Sequence, residues 1–475
     1  MSTQEIDLVR DSTMKQIAAI LAKRGGLTPA SYDDVLSIVR LGLAPSVFSV
    51  GDIIEVGRET AVNASLGEHT GITAVSVNED TFVAAMDEAG EKEYEIIFDG
   101  SVWKYGDTPI ILNDYGLTVT GTAQEGDTII VVETASTINM VVMGFIDEGG
   151  NTSITIKDKT KTYGMILQSE KILYLLQVDN TEAFYYCENA LAAGTYNVTL
   201  GDNYDTAYGG GATYQFTLTQ PVPAGGQIVL PWAYNQPVTN AKVSTFASAS
   251  SLTAIESNVA VTAGSDGTSL GTATIAVNGN LNSLHRMRYG SNKWSEGAMR
   301  QHLNSAAKAG SVWTPQSKWD RPPSWNTGTA GFMHGLDPEF IKICADVELI
   351  TALSTAAGDT TSAEASAGTG YETTVDKFFL PSRPEVFGGS DNASDKGTAW
   401  DYYKLNSDVP GGSSNANVDS NRIKVRADNG NAYYWWLRSP NVGYGHNVRS
   451  IYPTGNVYYT SAISSYGVAP ACVIA

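Results

Sequence analysis

NAYYWWLRSPNVGYGHNVRSIYPTGNVYYTSAISSYGVAPACVIA, residues 431–475, decides how the chain is read. Trp435 and Trp436 are neighbours in a strand-like run, so their side chains leave on opposite faces. One is expected in the core and the other beneath a binding surface. Arg438 is expected to make a structural ion pair rather than a ligand contact. Of the 26 residues from Asn441 to Tyr466, 15 are Tyr, Ser, Gly or Asn. Binding loops share this composition: Tyr gives broad amphipathic contact at low entropy cost, and Ser, Gly and Asn give adaptable hydrogen bonding. The interleaved Val442, Val448, Ile451, Val457, Ala462 and Val468 keep a separate register and are expected to be scaffold. The candidate ligand-binding set is therefore Gly443, Tyr444, His446, Asn447, Arg449, Ser450, Tyr452, Tyr458, Tyr459, Ser461, Ser464, Ser465 and Tyr466. An ordinary Gly/Tyr-rich β meander without a ligand is the plainer alternative.

Outward from this stretch, composition sets the class. The 475 residues carry 30 Lys plus Arg against 50 Asp plus Glu, a formal net charge of −20. Nucleic-acid binding needs a basic face that displaces counterions, so it is not expected. Docking on an anionic membrane is disfavoured for the same reason. No apolar run reaches the length of a membrane span, and the start lacks the apolar core of a signal peptide. Three widely spaced cysteines, Cys187, Cys344 and Cys472, argue against a disulfide framework and against a CxxC site. Synthesis in a reducing cytoplasm fits this, even for a protein that later works outside a cell.

About three domains are expected from the length. Residues 1–46 read as helical. Met14, Ile17 and Leu21 share a face over 5–24. A second helix is capped by Ser31, with Val35, Ile38 and Val39 as its stripe and Pro45 as its stop. Residues 47–134 read as a β-rich module, with a hairpin signal at Asp99-Gly100 and turns at Asn113-Asp114 and Glu125-Gly126. Residues 135–262 read as a second β-rich, Ig- or jelly-roll-like module, and 263–475 as an α+β domain. In that last domain 293–307 and 337–353 are expected to be helices, with Phe340, Ile343, Val347 and Ile350 on one face of the second. A long polar loop follows residue 354, and DKFFLPSRPEVFGG (376–389) reads as a strand. Seven of the nine tryptophans lie between Trp294 and Trp436, able to order irregular backbone.

No chemistry stands out. Gly267-Thr268-Ser269-Leu270-Gly271 matches GxSxG, but it lies in Ser/Thr/Gly-rich sequence and not between a buried strand and a helix. The five histidines show no metal-helix spacing. Asp391, Asp395 and Asp401 are carboxylates able to hold a structural ion. Cys344 and Cys472 read as buried small hydrophobes. No catalytic residue, metal site or cofactor is assigned, and the chain is not expected to be an enzyme.

Four stretches together carry a resemblance: KWSEGAMRQHLN (293–304), FFLPSRPEVFGG (378–389), YYWWLRSP (433–440) and the terminal GVAPACVIA (467–475). They resemble C-type-lectin-fold domains of gut phages and their bacterial hosts, including variable proteins of diversity-generating retroelements. The resemblance implies a C-type-lectin-like domain over 263–475, with its variable stretch at 441–466. In such systems adenines of one short gene segment are rewritten. Randomising the first two bases of an AAC or AAT codon gives Asn, Tyr, Ser, His, Gly, Thr, Arg, Asp or Ile and never a stop, which fits the composition. EPN, QPD and WND triplets are absent, so calcium-dependent sugar binding of the ordinary lectin type is not expected. The implied function is a phage virion receptor-binding protein, on a tail or decorating a capsid. It would recognise a bacterial surface protein or glycan, attach to other virion proteins through its N-terminus and assemble as a homotrimer, without nucleic acid or membrane insertion. A bacterial surface adhesin and a non-binding structural virion protein are the alternatives.

Overall fold

A computed structural model describes residues 31–78, 82, 92–147, 154–182, 184–186, 189–199, 213–218, 220–229, 241–242, 254–262, 269–277, 284–286, 289–405 and 420–475. The expected helix at 5–24 and Cys187 lie outside them. Strands far outweigh helices, as expected of a β-rich chain. Two compact units form: residues 1–54, 140–334 and 341–475 in the first, and 55–139 with 335–340 in the second. Among the described residues no helix is long and apolar enough to cross a membrane.

The second unit follows its hairpin signals. Lys92–Phe98 pairs with Trp103–Tyr105 around Asp99-Gly100, and Gly100 sits at φ 90°. A left-handed residue of this kind is what a tight hairpin turn demands and glycine permits. Ile72–Val77 pairs with Leu117–Gly121. Val62, Ile72, Phe82, Tyr94, Ile96, Leu117, Ile129 and Val131 form the core. Asp127 staples the loops at one end by accepting from the backbone N–H groups of Thr70, Gly71, Ile72 and Gln124. Burial alone would raise its pKa, but these donors prevail and hold it at about 2.

In the first unit, Ser31 caps the helix Tyr32–Arg40, and Val35, Ile38 and Val39 are buried as expected. Pro45 does not stop a helix; it occupies the first turn of a new one, Ala44–Val47, where its missing N–H costs nothing. Met140–Ile146 pairs with Gly164–Ser169, which pairs with Ala471–Ile474, and that strand pairs with Phe378–Phe379. An eight-stranded sheet runs Gly194–Thr199, Thr213–Leu218, Ser269–Val277, Ala254–Thr262, Gln227–Val229, Phe184–Tyr186, Leu284–Arg286, Ala241–Lys242. A three-stranded sheet joins Ile154–Ile156, Val347–Ala352 and Tyr371–Asp376.

Several local expectations are corrected. Residues 337–353 are not one helix: Pro338–Ile343 is helical and Val347–Ala352 is a strand. Apolar residues at Val347 and Leu349 satisfy a period of two as well as a helical stripe, and strand partners on both sides decide between them. The helix expected over 293–307 is confined to Ala298–Leu303. The polar stretch after 354 contains the helix Ser362–Ala367, started by a Thr361/Glu364 capping box. Of 376–389, only Asp376, at the end of the strand Tyr371–Asp376, and Phe378–Phe379 are in strands; Ser382 and Glu385 form a second capping box that starts the helix Arg383–Phe387.

Candidate functional site

Five strands of the first unit build the site, in the order Tyr174–Leu176, Tyr466–Val468, Trp435–Pro440, Asn447–Ile451, Val457–Ser461. The last two form a hairpin at the sheet edge, with Arg449 opposite Tyr459 and Ser450 opposite Tyr458. Trp435 pairs in register with Ile451, and Trp436 with Ser450. Both tryptophans are fully buried. Trp435 Nε1 donates to Arg422 O at 3.0 Å, and Trp436 Nε1 to Leu176 O at 2.9 Å. Trp436 lies one layer down, its ring 4.9 Å from that of Tyr466.

Beneath the sheet the quoted motifs lock each other. Arg438 is fully buried and forms a bidentate pair with Glu385, at 2.6 Å for each bond. It also donates to Leu380 O at 2.9 Å and to Thr351 Oγ1 at 3.2 Å. The same Glu385 carboxylate accepts from Ser382 N, closing the capping box, and Arg383 N donates to Ser439 Oγ at 2.8 Å. The structural role expected of Arg438 is therefore met by the helix that FFLPSRPEVFGG encodes.

Above this frame lies a chain of aromatic rings. Tyr444 stacks on Tyr459 (6.0 Å, 17°) and Tyr459 on Tyr458 (5.8 Å, 15°). Tyr458 meets Tyr452 edge-on at 5.3 Å, and Tyr452 meets Tyr434 at 4.6 Å. Tyr434 stacks on Tyr466 at 4.6 Å, and Tyr433 touches both. Tyr444, Tyr452, Tyr458 and Tyr459 are 38–40 % exposed, a large value for aromatic rings already in contact with one another. A hydrogen bond with Tyr452, aided by burial and the neighbouring phenols, holds the Tyr434 pKa well above the ordinary tyrosine range.

The thirteen expected residues divide by depth. Gly443, Tyr444, Tyr452, Tyr458, Tyr459 and Ser465 are exposed, and Arg449, Ser461, Ser464 and Tyr466 are half-buried. His446, Asn447 and Ser450 are buried and leave the solvent-facing set. Sequence composition counts them with their neighbours, but Ser450 sits in register between Trp436 and Tyr458, with a strand on either side. The Asn447 carbonyl is spent on loop closure, accepting from Asn441 N and from Asn292 Nδ2. Arg449 is steered rather than free: its Nε donates to Asp391 at 2.6 Å, and its guanidinium lies over Tyr459.

Sequence reading missed the residues that place this surface. Tyr433 and Tyr434 belong to the ribbon, yet they stand in the motif taken as fixed. Asn292 donates to the carbonyls of Asn441, Tyr444 and Asn447 and so shapes the loop that carries Tyr444. Ser354 and Thr355 both donate to Val442 O at 3.1 Å. None of these carries a motif; only the fold brings them to the loop.

Of the acidic residues considered for an ion, Asp391 is taken by Arg383 (3.2 Å) and Arg449, and Asp401 by Lys404. Asp395 is buried, and desolvation followed by the Asp391 charge pushes its pKa to about 7. Among the described residues, Glu182, Glu296 and Asp320 bring carboxylate oxygens within 4.8 Å of one another. Glu296 pairs with Lys293 at 3.1 Å, and Asp320 accepts from Ser317 N and Oγ, so the chain's own donors serve these two carboxylates. Cys344 and Cys472 are free and buried. Burial first, and then the neighbouring Cys344, raises the Cys472 thiol pKa well above its usual value.

Residues 266–475 match the family described as a domain of unknown function (DUF6273). That segment contains the hairpin, both tryptophans and the Arg438–Glu385 pair. No curated protein and no solved structure matches the chain.

Proposed function

We propose that the chain is a phage virion receptor-binding protein whose C-terminal, C-type-lectin-like domain recognises a bacterial surface ligand. The observation that carries this reading is the ribbon of mutually touching, exposed tyrosines on one edge hairpin and the loop that precedes it. Tyrosine is the side chain that interface hot spots favour, because it buries apolar area and keeps a polar tip. The contact groups are Gly443, Tyr444, Arg449, Tyr452, Tyr458, Tyr459, Ser461, Ser464, Ser465 and Tyr466. Beneath them a frame of Trp435, Trp436, Ile451 and Arg438 stays constant while the surface changes. That division suits a retroelement-diversified protein, in which contacts are exchanged without refolding. Recognition by this surface needs no catalytic group. The N-terminal segment attaches the chain to the particle.

The test is attachment of the full chain to host cells after Tyr444→Ala, Tyr452→Ala and Tyr459→Ala together. Attachment is expected to fall at least tenfold, since central aromatic contacts contribute about 2 kcal/mol or more each. Tm is expected to stay within about 3 °C, because exposed substitutions cost little. Undiminished attachment refutes the reading. A collapse of Tm assigns the rings to the core instead.

A further inference from the structure

We propose that the chain holds a second binding site, for a compact polyanion, in a lysine-lined pocket at one end of the three-stranded sheet. The pocket encloses about 440 Å³ and is lined by Lys157, Lys161, Lys342 and Lys377 with Asp158 and Asp346. Its place follows from the register. Ile156 and Asp376 both pair with Val347, so the outer strands end where the central one begins. Lys157 directly follows Ile156, Lys377 directly follows Asp376, and Asp346 directly precedes Val347. Lys157 N donates to Asp346 O at 3.0 Å, which closes the rim. Three strand ends thus fix the positions of Lys157, Lys377 and Asp346.

The charge arrangement runs against the rest of the molecule. The chain's formal charge is −20, yet this lining has four cations against two carboxylates. Asp158 accepts from Thr160 N and Oγ1 at 3.1 and 2.7 Å, and Asp346 lies 3.8 Å from Lys377 Nζ, so the lining keeps a net excess of two cations. Lys161 is oriented by donating to Ala475 O at 2.9 Å, and Lys377 by donating to Cys344 O. An ammonium has three donors, so each of these bonds steers the group and leaves donors for an anion. Like charges gathered at one concave site repel, and an anion of two or more charges relieves that repulsion. The volume lies within the range of small-molecule sites. The chemistry selected is a small oxyanion bearing two or more charges, held by ammonium groups. The proposal is independent of the tyrosine surface.

The test is calorimetric titration of the full chain with inorganic pyrophosphate, at ionic strength held constant with sodium chloride. Saturable one-site binding is expected. Lys157→Glu with Lys342→Glu is expected to weaken it at least tenfold, and Lys157→Arg with Lys342→Arg to retain it within about threefold. Thermal unfolding of each variant verifies the fold. Absence of saturable binding, or equal affinity in the charge-reversed variant, overturns the proposal.

Discussion

Arg438 is buried and paired with the buried Glu385 carboxylate, so its consequence is large. Removing one member of a buried pair strands the other charge and costs about 3–5 kcal/mol. Arg438→Met is expected to lower unfolding stability by that order in urea titration, with Glu385 left uncompensated and the Arg383–Phe387 cap weakened. A loss below about 1 kcal/mol contradicts the assignment. Asp395 offers a pH-dependent test. Its carboxyl is buried beside Asp391 and Glu385, with Arg383 and Arg438 also near, and its pKa is raised from 3.8 to about 7. Between those values the folded chain holds a proton that the unfolded chain has released. Stability contributed by this group is therefore full below about pH 4 and declines until about pH 7. Asp395→Asn is expected to raise the urea midpoint at pH 8 and leave it nearly unchanged at pH 4. An equal shift at both pH values contradicts the burial argument.

At the scale of elements, the edge hairpin explains why surface and frame separate. Val448, Ser450 and Ile451 lie on a strand flanked on both sides and are buried, whereas among the described residues no further strand covers Tyr458 and Tyr459 on the edge strand. Gly467 permits the close approach that completes the ribbon. A Cβ there would stand 2.6 Å from Tyr434 O and 2.7 Å from Ile172 Cγ2. Gly467→Ala is expected to cost about 1–3 kcal/mol by overpacking, and to disturb Tyr434 and Tyr466 together in the aromatic region of the near-ultraviolet circular dichroism spectrum. Much at this scale was legible: the Asp99-Gly100 hairpin, the Ser31-capped helix and the scaffold register of Val448, Ile451, Ala462 and Val468. One misread element has two periods, and two others hide short helices behind capping boxes at Thr361 and Ser382. VELITA suits a helix stripe and a strand, and only its two partners, neither adjacent in sequence, decide. His446, Asn447 and Ser450 failed for a related reason, since composition reports residue type and not facing.

For the molecule as a whole, strand-rich architecture followed from turn spacing and sparse helical periodicity. The joining of 140–334 with 341–475 in one compact unit did not, because it rests on contacts between distant segments such as the central placement of Ala471–Ile474. Weak single-site contacts made by a small tyrosine ribbon gain strength when copies are presented together. The proposed trimer is expected to show a light-scattering mass of about three times 50.6 kDa. A mass equal to one chain removes the avidity argument but leaves the site intact. Across sibling chains, substitutions are expected to gather at the ten solvent-facing positions and to spare Trp435, Trp436, Arg438 and Ile451. The most direct test is residue-level footprinting of the chain by hydroxyl-radical labelling, free and bound to host cells. Protection of Tyr444, Tyr452, Tyr458 and Tyr459 on binding is the predicted result. Undiminished labelling of these four, with protection on another face, contradicts the account.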